Sequence, residues 1–155
     1  MEEVIKYKQY VIVPKRPIMS KGKIASQVAH ATFMALEQQT RPIKDAWRDS
    51  GMCVIVLQCK DSLELFGIAK YLDQWKIPNH LYIDEGMTEV SMGTPTALAT
   101  GIMTEDQFWI FNTMKLFGEE TSAQKIIDES PPKMHDLSYG SYVRRMVELE
   151  LEMPL

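Results

Sequence analysis

The chain has 155 residues, 45% hydrophobic and 25% charged, with a formal charge of −4; that suits one domain with a packed core and argues against a disordered polymer. No apolar run approaches the ~20 residues of a membrane helix, and the opening Met1-Glu2-Glu3 lacks the basic-then-apolar order of a secretory leader, so the expected compartment is the cytoplasm. Cys53 and Cys59 share one apolar run and would stand ~20 Å apart when extended, too far for a disulfide; both are expected as buried thiols.

Tyr10 to Val13 reads as a buried strand stopped by Pro14 and Pro17. Ser20 is placed to cap a helix, and Ile24, Ala25, Val28, Ala31, Thr32, Ala35 and Leu36 recur at helical spacing to about residue 38. Thr40-Arg41-Pro42 then reads as a break, followed by a connector carrying Trp47. Met52 to Cys59 is a second strand, apolar nearly throughout. Asp61 and Glu64 have the form of a capping box opening a helix to about Trp75, ended by Pro78. His80 to Asp84 is a third strand, 85–96 a Gly/Thr-rich loop, and Ala97 to Met103 a fourth strand. Thr104 and Gln107 form another capping box, opening a helix through Phe108, Phe111 and Met114 with Gly118 as its C-cap. The order β-α-β-α-β-β-α predicts an α/β domain with a mainly parallel sheet covered on both faces. Ligands of such folds gather at the carboxyl ends of the strands, so Lys23 and Asp84 are expected at one rim.

The charge is unevenly spread. Residues 1–24 carry Lys6, Lys8, Lys15, Arg16, Lys21 and Lys23 against Glu2 and Glu3, whereas 116–155 are acid-rich. The basic end is suited to phosphate. Ser20-Lys21-Gly22-Lys23 puts two lysines in the first turn of a helix, where the dipole disfavours them, with no acidic residue until Glu37. A phosphate at the free amides would reconcile this; from the segment alone the plainer reading, two lysines in water, is preferred. Gln27 lies on the face of Lys23 one turn on. His30 lies near that face and is read as a packed histidine bonded to backbone. No His or Cys spacing matches a zinc site, so neither metal nor cofactor is expected.

Asp84 before Gly86 is an ordinary turn former. The segment from 84 to 104 is nevertheless dense in hydroxyls and glycines, and Thr88, Thr94 and Thr96 remain as candidates for binding a polar ligand. After 118 the pattern changes. Pro131-Pro132 interrupts any helix, and 139–153 fits strand and helix alike. The core is expected to span 1–118, with 119–155 an extension docking on it or on a second subunit.

Ser20-Lys-Gly-Lys-Ile-Ala-Ser-Gln-Val-Ala-His30-Ala, Asp84-Glu-Gly-Met-Thr-Glu89 and Gly93-Thr-Pro-Thr-Ala-Leu-Ala-Thr-Gly101 together resemble the peptidyl-tRNA hydrolase 2 family, whose pattern is KGKxAxQxxHA, DAGxTE and GTxTxLAxGP. The resemblance covers about residues 7–117. It implies a three-layer α/β/α sandwich on a mixed four-stranded sheet, a homodimer, and hydrolysis of the ester between peptide and tRNA, which recycles tRNA from aborted translation. It carries the functional residues onto Lys23, Asp84, Thr88 and Thr96, with Lys21, Gln27, His30 and Thr94 binding tRNA or supporting the site. Departures from the pattern are Glu85 for Ala, Ser91-Met92 for Pro-Pro, Ile102 for Pro, and Pro14-Lys-Arg-Pro17 before the helix. A non-catalytic tRNA-binding or regulatory paralogue of the same fold is the alternative.

Ester hydrolysis needs a positioned water, a proton acceptor and support for the oxyanion. No GxSxG elbow is present, so direct attack by water is expected rather than a covalent intermediate. Asp84 is assigned to the water, Lys23 to the oxyanion or the tRNA 3′ end, and Thr88 and Thr96 to orienting hydrogen bonds.

Overall fold

Four strands build the sheet of the computed structural model, which describes residues 5–119: β1 (Tyr7–Pro14), β2 (Val54–Cys59), β3 (Asn79–Ile83) and β4 (Pro95–Thr104). The order is β2-β1-β4-β3. Only β1 and β2 pair in parallel; β4 runs antiparallel to both β1 and β3. The expectation of a mainly parallel sheet is thus corrected to a mixed one. A parallel link needs a crossover of about a dozen residues or more, usually a helix. The loop from Ile83 to Pro95 contains none, so the chain turns back and β4 inserts between β1 and β3.

Two-residue alternation along β1 sends side chains to opposite faces. Tyr10 and Ile12 join Leu65, Ile68, Leu72 and Phe111 in the larger core. Val11 faces Ala31, Ala35, Ala97 and Ala99 on the other side. Helix α1 (Lys21–Glu37) covers this second face, and its small alanines let it lie close to the strands. The other face is covered by α3 (Ser62–Gln74) and a 3-10 helix, Glu105–Phe111. The result is a three-layer α/β/α sandwich.

Three local expectations change. The segment read as a connector is helix α2 (Arg41–Asp49), with Thr40 at its N-cap and Pro42 in its first turn. Pro is well tolerated there because the first amides have no intrahelical partner; it starts this helix rather than ending the previous one. Trp47 is buried, and its Nε1 donates to the Cys53 carbonyl. The second change concerns the end of the core. Thr104 and Gln107 do form the capping box, but the helix is 3-10 and stops at Phe111. The chain then lies along the outer edge of β2, with Gln58 N donating to Lys115 O (3.0 Å) and Phe117 N to Val56 O (2.9 Å). Covering a bare sheet edge satisfies backbone groups that a longer helix would leave to solvent. Gly118 (φ +89°) follows this pairing and is not a helix cap. Third, Cys59 is buried, but Cys53 is only half-buried. Both are free thiols, and burial pushes that of Cys59 well above the ordinary range.

β1, β2 and β3 all run one way, so their carboxyl ends and the start of β4 share one rim. Both sequence motifs come together there.

Candidate active site

Lys23 leaves the first turn of α1. Ser20 caps that helix, its Oγ accepting from Lys23 N at 3.2 Å. The Lys23 ammonium donates to Asp84 Oδ1 and to Thr88 Oγ1, each at 2.6 Å. The side chains of Lys23 and Asp84 are 9% and 7% exposed. Lys23 is therefore neither in water, as the segment alone suggested, nor free for phosphate with all three donors. Lys21 is exposed.

Asp84 stands just past the end of β3. Its backbone is pinned across the loop by Asp84 N to Thr94 O and Gly93 N to Asp84 O, both 2.9 Å. Its second carboxylate oxygen, Oδ2, accepts from Gly86 N at 2.8 Å. The hydrogen bond from Lys23 is the largest influence holding the carboxyl below its ordinary range, opposed by burial and assisted by the Gly86 amide. At neutral pH Asp84 is a carboxylate with one oxygen on a cation and the other on a backbone amide.

Glu89, which sequence reasoning placed only within a motif, closes the start of α1. It accepts from Ser20 N at 2.8 Å and from Ser20 Oγ at 2.5 Å. These bonds to Ser20 hold its carboxyl below the ordinary range. A protein carboxylate thus stands at the helix N-terminus where a phosphate was considered, and it ties the loop to the helix carrying Lys23. The Thr-Glu pair at the end of DAGxTE was the available signal.

Thr96 and Gln27 form a second, fully buried pair, Thr96 Oγ1 donating to Gln27 Oε1 at 2.5 Å. The pairing of β3 with β4 slips between Tyr82, opposite Ala97, and Ile83, opposite Pro95. Thr96 is the extra residue of this bulge, and a bulge re-aims a side chain, here toward α1. Thr96→Val would leave the buried Gln27 oxygen without its donor, at a cost of about 1–3 kcal/mol. Thermal melting is expected to fall accordingly, with Thr96→Ser nearer the parent.

The remaining candidates stand further out. Thr94 Oγ1 donates to Ser91 O and shapes the loop. His30 is exposed, correcting the packed, backbone-bonded histidine expected. It stacks on Tyr82 with ring centroids 4.7 Å apart, and its Nε2 lies 3.4 Å from Ser26 Oγ.

A cation shared between a carboxylate and a hydroxyl thus stands at the strand-end rim. Comparison with known proteins gives it a family: residues 7–117 match the family model described as peptidyl-tRNA hydrolase PTH2. The chain belongs to this family. The match begins at β1 and ends on the segment paired to β2, so it takes in the whole sheet. A peptidyl-tRNA hydrolase of Methanopyrus kandleri is 35% identical over 104 residues, covering 65% of this chain and 89% of that protein. One from Thermococcus sibiricus is 38% identical over 102 residues, covering 63% and 86%. Another from Thermococcus onnurineus is 36% identical over 106 residues, covering 66% and 90%. The PTH2 segment thus contains every group of the site, and residues 120–155 lie beyond it and outside the described residues.

Proposed function

We propose that this PTH2-family chain cleaves the ester joining peptide to tRNA, recycling tRNA from aborted translation, with Lys23, Asp84, Thr88 and Thr96 as its site residues. The observation that carries the assignment is the Lys23 ammonium held between Asp84 and Thr88. Its remaining proton is available to the carbonyl oxygen of the ester, where negative charge develops. Asp84, kept ionised, accepts a hydrogen bond from the attacking water and orients it. As the water oxygen bonds to the acyl carbon and the bond to the ribose oxygen breaks, Asp84 receives the water proton and returns it to the leaving oxygen. Thr88 steadies the ammonium. The Thr96–Gln27 pair fixes the start of β4 against α1. Lys21 and His30 are assigned to tRNA contact and Thr94 to the loop.

Purified protein should release peptide from labelled peptidyl-tRNA, and added chelator should leave the rate unchanged, because the named groups are Lys, Asp and Thr. Firm tRNA binding without turnover on several peptidyl-tRNAs would favour a binding paralogue instead. A cytoplasmic homodimer is also proposed: the former accords with the tRNA substrate, the latter with the family resemblance. No described helix is long and apolar enough to cross a membrane.

Residues 119–155 are proposed as an extension separable from the chemistry. Gln58 Nε2 donates to Glu119 O at 2.9 Å and Gly118 N donates to Gln58 Oε1 at 3.1 Å, so the truncation that tests this keeps Glu119. Truncation after Glu119 is expected to lower the melting temperature or alter sedimentation, while turnover per folded protein stays within several-fold. A folded truncation with native sedimentation and no turnover would place part of the site in the extension.

A further inference from the structure

Two methionines lie on the loop that supplies Asp84 and Thr88. Met87 and Met92 keep 84% and 81% of their surface in water, above the other exposed large apolar side chains among the described residues. Their loop is not slack. It is cross-linked by Asp84 N to Thr94 O, Gly93 N to Asp84 O and Thr94 N to Ser91 O. Gly86, at φ +75°, lies hard against Met92: a Cβ built on it would stand 2.4 Å from Met92 N and 2.8 Å from Met92 Cβ. The two side chains therefore spring from adjoining stretches of backbone. Met87 directly precedes Thr88, which accepts from Lys23, and Gly86, against Met92, donates to Asp84. By chain or by contact, each methionine is within two residues of the groups assigned to the ester.

Charge says which part of the substrate meets them. The loop carries Asp84, Glu85 and Glu89, and no Lys or Arg occurs between 77 and 114. Phosphate is disfavoured on this side. The exposed Lys15, Arg16 and Lys21 belong instead to the segment that joins β1 to the first turn of α1. A substrate with its ester at Lys23 and Asp84 then has its ribose–phosphate end toward β1–α1 and its acyl end toward the methionines. Methionine is unbranched and polarizable, and it covers apolar groups of varied shape.

We propose that Met87 and Met92 form an apolar subsite for the side chain of the amino acid esterified to tRNA, favouring bulky apolar residues there. The proposal rests on the hydrolase activity stated above. The test uses the full chain and one tRNA body carrying N-acetyl-leucine, N-acetyl-phenylalanine or N-acetyl-glycine, with kcat/KM measured for each. The parent should prefer leucyl and phenylalanyl esters over glycyl by about tenfold or more, the range for a hydrophobic side-chain contact. The double variant Met87→Ser/Met92→Ser should bring these ratios close to one, and Met87→Leu/Met92→Leu should retain them. A parent with no preference, or a Ser variant that slows all three esters equally, would overturn the subsite while leaving the hydrolase assignment standing. Cleavage of none of the three by the parent would overturn the activity and the subsite with it.

Discussion

Asp84→Asn is expected to lower turnover of peptidyl-tRNA by about 10²–10⁴, the usual worth of a lost acid–base group. The amide keeps an acceptor for Gly86 N but cannot take a proton from water, and it withdraws the charge that faces Lys23 at 2.6 Å. The side chains are little exposed but stand at the open rim of the sheet, so removing one partner also destabilises, by less than the loss of a fully buried pair because Lys23 can swing into solvent. The pH dependence has a definite sign. Asp84 is held below its ordinary range in the fold, so its contribution to stability is complete above the unfolded carboxylate pKa of ~3.9 and is lost as pH falls through the lower folded value. The gap in melting temperature between parent and variant should therefore stay level from about pH 5 to 8 and close on acidification below about 4. Single-turnover kinetics on saturating substrate, with melting at several pH values, checks both parts. A variant within threefold of the parent would remove Asp84 from the chemistry.

Lys23→Ala should cost about 10²–10³ in turnover, the range for one oxyanion donor, with a change of pH profile that Asp84→Asn does not share. Without Lys23 the largest influence lowering the Asp84 pKa is gone while the burial that raises it remains. The parent rate should show no acid limb from Asp84 between about pH 5 and 8. In the variant that limb should move up toward or into this window, and alkaline buffer should recover part of the rate. Two of the three ammonium protons are committed inside the protein, so the salt dependence of tRNA binding should be unchanged. A log–log slope reduced by about 0.7–0.9 with turnover intact would identify Lys23 as a phosphate contact instead.

Much of the fold was legible because it is written locally. Alternation in Tyr10–Val13 divides the two cores, and Ser20, Asp61 and Thr104 begin helices where their side chains meet free amides. Asp61 Oδ1 accepts from Glu64 N as a cap should. The reciprocal bond falls one residue early, on Lys60 N at 2.5 Å. Pro42 misled because the same missing amide that breaks a helix interior is harmless in a first turn. The residue types of the site were legible too, as two motifs whose spacing resembles one family.

What those residues do to one another was decided by the tertiary structure. Lys23 and Asp84 are 61 positions apart, and they meet because β1 and β3 run the same way on either side of an antiparallel β4. Strand order and direction are set by long-range pairing, which no short window encodes. Thr96 reaches Gln27 through a bulge, and a bulge is a mismatch between two strands rather than a property of either. Glu89 caps a helix from 69 residues away. The sequence by itself determined the periodicities, most of the caps and the chemical inventory, since these depend on neighbours a few bonds away. The ion pair, the lowered carboxylate and the shape of the loop needed the sheet to be assembled, because each is an energy of contact between distant segments.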